Sequence, residues 1–76
     1  MEIKYVVAAE SPKGLIYVSS YQREHDGTSI TPNAADKYPT PVEASMVADK
    51  LNKYGERWAI LPVTETYNGW SQLYGI

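Results

Sequence analysis

One sharply bounded helix stands in the middle of an otherwise extended chain, and this constrains the fold more than any other feature of the sequence. Thr40 is placed to act as N-cap, Pro41 suits the first helical position, and Glu43 completes a Thr-x-x-Glu capping box. Pro39 disfavours helical backbone at Tyr38, which sharpens the start. Ala44, Val47, Ala48, Leu51 and Tyr54 recur at the spacing of one helical face. Gly55 supplies a C′ stop, so a helix is expected over 41–54. Asp49 and Lys53 lie four apart in the favourable order. Small Ala44 and Ala48 on the inner face let the helix lie close to a sheet.

Strand signals flank the helix on both sides. Residues 3–9 are apolar and partly β-branched, Ser11-Pro12-Lys13-Gly14 reads as a tight turn, and 15–22 return as a second strand. After the helix, 57–61 read as a strand, with Trp58 and Ile60 on one face and Ala59 and Leu61 on the other. Pro62 has no N–H to donate and marks an edge or bulge. Residues 63–67 resume the extended pattern, and a two-residue turn at Asn68-Gly69 would pair Tyr67 with Trp70 and Val63 with Tyr74. The connection 23–39 is long for a compact domain. Within it Asp26-Gly27 can close a turn, Thr28 to Thr31 can form a short strand, and Thr31-Pro32 can cap one helical turn through Ala35. Ile30 and Tyr38 are expected to anchor it in the core. The expected fold is a single α+β domain over 1–76: a mainly antiparallel sheet of about four strands, hairpin–loop–helix–hairpin, with the helix on one face. The other face is expected to be open to solvent or covered by a partner, carrying whichever of Tyr5, Tyr17, Tyr21, Tyr67 and Trp70 points there.

Composition removes several classes of function. A chain of 76 residues must bury nearly every large apolar group it has to offset the entropy of folding. Without cysteine there is no disulfide, thiolate zinc site or thiol nucleophile, and His25 is the only histidine. Glu24-His25-Asp26 places an acid beside a base. Neighbours in sequence generally point apart, so a solvated loop tip is the better reading. No glycine-rich phosphate cradle occurs. No catalytic set, metal or cofactor is therefore expected. A net charge of −2 has the wrong sign for a general nucleic-acid binder, and nine acids against seven bases are too balanced for a nucleic-acid mimic. Direct nucleic-acid binding is accordingly not expected. No apolar run approaches a membrane span, and Glu2 and Lys4 interrupt the first apolar stretch, unlike a signal peptide. A cytoplasmic protein is expected.

The aromatic residues point the other way, towards recognition. All nine, seven Tyr and two Trp with no Phe, carry a polar handle. Such side chains favour half-buried positions and are enriched at protein–protein interfaces. The candidate partner-binding residues are Tyr17, Tyr21, Arg23, His25, Asp26, Tyr67 and Trp70. From Ile30 to Val63 the chain carries Thr31-Pro32, Ala35-Asp36-Lys37-Tyr38, Thr40-Pro41-Val42-Glu43-Ala44 and Trp58-Ala59-Ile60. This succession of short strand, capped helix and return strand resembles small accessory proteins encoded by bacteriophages and prophages, over less than half the chain. The resemblance is structural and carries over no functional residue. It implies a stoichiometric binder of a host protein or protein–nucleic-acid complex in the host cytoplasm. That size class includes inhibitors of restriction, CRISPR and other defence systems. Two alternatives stand beside it: a nucleic-acid-associated protein, and a homodimer or larger homo-oligomer pairing through a sheet edge or tyrosine face.

Overall fold

A computed structural model, which describes residues 2–20 and 27–73, shows an α+β two-layer unit of five strands and one helix. The elements are β1 (Ile3–Ser11), β2 (Gly14–Val18), β3 (Thr28–Ser29), α1 (Pro41–Asn52), β4 (Ala59–Thr66) and β5 (Gly69–Gln72). The sheet order is β3-β2-β1-β4-β5, and every neighbouring pair is antiparallel. The fifth strand is β3, two residues long, lying where a short strand is expected and pairing with Tyr17 and Val18. The second strand ends at Val18, short of the expected Gln22, and Ser19 N–H then donates to the Gly27 carbonyl at 2.7 Å.

The two hairpins are built alike. Ser11 pairs with Gly14 across Pro12-Lys13, and Thr66 pairs with Gly69 across Tyr67-Asn68. In both, the hydroxyl before the tip donates to the glycine carbonyl at 2.7 Å. Both glycines have positive φ, +111° at Gly14 and +106° at Gly69, a region L side chains avoid. The second turn is therefore at Tyr67-Asn68, not Asn68-Gly69. Trp70 faces Glu65, and Val63 faces Gln72. The expected Tyr67–Trp70 pair does not form, because the glycine serves after the tip rather than within it.

Side chains alternate between two buried layers. On the helix face, Val7 packs with Ala44, Ala48 and Trp58, with Ile16, Val18, Tyr38 and Ile60 around them. Tyr5 belongs to this layer. On the opposite face Val6, Ala8, Tyr17 and Val63 pack with Ala35, which comes from the connection before the helix. The second face is thus covered in part by the chain itself, contrary to the expectation of an open or partner-covered sheet.

The helix start is as expected: Thr40 Oγ1 accepts from Glu43 N–H at 3.3 Å and Pro41 opens the first turn. Its end comes two residues early, at Asn52, whose side-chain amide bonds both the N–H and the carbonyl of Trp58 at 2.6 and 3.0 Å. That bracket draws the chain out of the helix, so Tyr54 is 83% exposed instead of completing the apolar stripe. Pro62 is at neither an edge nor a bulge. It sits within β4 opposite Tyr5, whose N–H and carbonyl both bond Tyr38 on the other side. Pro62 accepts from Leu73 N–H at 3.1 Å but has no N–H to return, and β5 ends at Gln72.

Candidate functional site

Residues 30–38 form a strap across the face opposite the helix. Ser29 Oγ donates to Thr31 O and accepts from Thr31 N–H, a local turn that leaves Ile30 78% exposed instead of anchoring the core. One helical turn follows, closed by Ala35 N–H to Pro32 O at 3.2 Å, and it delivers Ala35 into the buried layer. Polar fasteners hold the strap down. Buried Ser19 donates to Ala34 O at 2.5 Å, and Asp36 N–H donates to Val18 O. The Asp36 carboxylate accepts from the Ser20 N–H and hydroxyl. At Tyr38, paired with Tyr5 through both backbone groups, the chain reaches the helix-side layer, where its ring packs as expected of an anchor.

Two fasteners converge on Trp70. Asn33 Oδ1 accepts from Trp70 N–H at 2.6 Å, and the Lys37 ammonium stands 5.2 Å from the centre of its ring. Lys37 also donates to the carbonyls of Asn33 and Ala35 at 2.9 and 3.0 Å. Burial pushes the Lys37 amine below its usual range, Asp36 opposes that shift, and Lys4 adds to it. Burial, reinforced by Asp36, raises the Tyr38 phenol. These groups act as structural ties that hold the strap.

The strap covers only one end of its face. At the other end Ala8, Leu15, Ala59 and Leu61 floor a trough of about 740 Å³, with Glu10, Glu56 and Arg57 as its charged lining and Gln72 alongside. β4 begins opposite Ala8, so β1 runs on through Ala9–Ser11 without a register partner in β4, and this notch shapes the trough. Tyr17, Tyr67 and Trp70, the described residues among those selected from sequence, do not line it. Tyr17 is 5% exposed beneath the strap, its hydroxyl accepting from Gln72 Nε2 at 3.2 Å, and it offers no surface to a partner. Its position is set by the pleat, which turns it to the face the chain itself covers. Trp70 is half-buried under Lys37, while Tyr67 is fully exposed at the β4–β5 tip. Tyr21, Arg23, His25 and Asp26 lie outside the described residues. Sequence reasoning missed Asn33, Lys37 and Asn52, whose partners are set by tertiary approach. The trough signal was present only as the alternation of Ala8, Leu15 and Leu61.

Among the described residues no group of three His, Asp or Glu side chains can hold a metal, and no helix is long and apolar enough to cross a membrane. No protein family, curated protein or solved structure matches the chain.

Proposed function

We propose that this chain is a small non-enzymatic protein-binding module, of the kind bacteriophages encode to occlude a host protein, acting by stoichiometric contact. The trough beside the strap carries this reading. It is a largely apolar concavity whose charged lining is limited to Glu10, Glu56 and Arg57. Interface cores are depleted in charge and ringed by polar groups in the same way. Ala9–Ser11, paired with β2 but without a register partner on the β4 side, favours an extended partner segment that inserts one apolar side chain between Leu15 and Leu61.

The test is to isolate a host protein on the immobilised chain, purify it, and reconstitute the pair. A 1:1 complex is expected that Leu61→Asp weakens at least tenfold and that Lys13→Ala leaves unchanged. A complex indifferent to Leu61→Asp, or none at all, overturns the reading. Salt-dependent binding to DNA or RNA by the chain alone would replace it with a nucleic-acid-associated role.

A further inference from the structure

We infer that the outer edge of β5 is a latent pairing surface for a second copy of this chain, held closed by Asn33. In an antiparallel ladder, backbone N–H and C=O groups point alternately towards the neighbouring strand and away from it. Leu73 N–H points inward, to Pro62 O. By alternation Ser71 points inward too, and Trp70 and Gln72 point outward, to an edge where no sixth strand lies among the described residues. Such a row of outward groups is a template for another strand, most readily for the same strand of a second copy running antiparallel across a two-fold axis.

The strap reaches around this edge and occupies it. Asn33 Oδ1 accepts from the outward Trp70 N–H at 2.6 Å, taking the site an incoming carbonyl would use. The approach depends on Gly69: a Cβ there would fall 3.0 Å from Asn33 Cγ and overlap the amide oxygen. Asn33 is itself fixed, because its carbonyl accepts from Lys37, which caps the Trp70 ring. At the opposite edge β3 is only two residues long, too short to template a strand by itself, and it covers only Tyr17 and Val18 of β2.

Four proteins test this: the wild type, Asn33→Ala, Asn33→Asp, and Asn33→Ala combined with Gln72→Pro. The aspartate keeps an acceptor at the same reach. The proline removes an outward N–H without touching the bonds to β4. Light scattering over a micromolar-to-millimolar dilution series, with amide exchange at Trp70, gives the readout. Wild type and Asn33→Asp are expected to be monomers with a protected Trp70 amide. Asn33→Ala is expected to form a dimer on concentration while its monomer exchanges that amide several-fold faster, and the added proline to restore the monomer. A dimeric wild type overturns the inference, as does a folded Asn33→Ala that stays monomeric or keeps Trp70 protected. Association that persists with the proline overturns it too, since β5 is then not the surface. If Asn33→Ala does not fold, Asn33→Ser stands in for it. Failure of both to fold makes Asn33 a core fastener and rejects the guard.

Discussion

Replacing Gly69 with alanine tests the strap contact against an internal control, because the other hairpin holds Gly14 in nearly the same backbone conformation. At Gly14 an added Cβ meets nothing within 4 Å, so Gly14→Ala pays only for positive φ, about 1–3 kcal/mol. Gly69→Ala carries that same term and in addition drives out the Asn33 amide. The lost hydrogen bond to Trp70 contributes about 0.5–1.5 kcal/mol, and solvent reaches the groups it frees. The difference between the two variants is therefore about 0.5–1.5 kcal/mol, with the backbone term cancelled. A chain of this size has a total stability of about 4–11 kcal/mol, so the difference is readable in urea denaturation with unchanged slope. In an Asn33→Ala background the excess cost of Gly69→Ala should vanish, leaving the value found at Gly14. Equal costs in the wild-type background, or an excess that survives removal of Asn33, would refute the reasoning.

Other substitutions probe the remaining ties. Asn52→Ala removes both bonds to the Trp58 backbone and should destabilise by about 1–3 kcal/mol by thermal or urea unfolding. Asn52→Asp, which keeps the acceptor but loses the donor, should fall between. Thr40→Ala should cost about 0.5–2 kcal/mol through the lost N-cap, with helical circular dichroism reduced before the transition. Nuclear magnetic resonance titration should find the Lys37 amine releasing its proton below the ordinary lysine value of 10.5. In that window the unfolded chain holds more protons, so Lys37 adds stability as pH rises towards 10.5. Tyr38 acts in the opposite sense: its contribution is complete below the ordinary tyrosine value of 10.0 and is lost as pH climbs through its raised folded value.

What the sequence made legible was local. Thr40, Pro41 and Glu43 mark the helix start because capping needs only neighbours within a turn, and Ser11-Pro12-Lys13-Gly14 marks its hairpin for the same reason. The second hairpin follows the same hydroxyl-x-x-Gly spacing, Thr66-Tyr67-Asn68-Gly69. The pull of the Asn-Gly dipeptide obscured that parallel and shifted the expected register by two residues. Tyr54 was misplaced because a side chain, Asn52, and not the apolar period, decides where the helix ends. The strap was out of reach for a different reason. Asn33 meets Trp70 across 37 positions and Ser19 meets Ala34 across 15, and nothing in the residue types at either end announces the partner. Those ties decide which face is covered, and therefore why Tyr17 is core and the trough lies at the far end.

The pairing of β1 with β4 sets the order in which this chain can become a protein. β1 lies at the centre of the sheet, yet its inner partner arrives more than fifty positions later, with Val7 opposite Ile60. During synthesis β1, β2 and the helix are made first, and Val6 and Val7 still lack the strand that pairs with them through Leu61 and Ile60. At about 5–20 residues per second several seconds separate the synthesis of β1 from that of β4. Closing so long a loop also slows the final step once the strand is present. The nascent chain is thus most open to chaperones, proteases and mispairing through its own first strand, and it escapes them only when residues 59–64 dock.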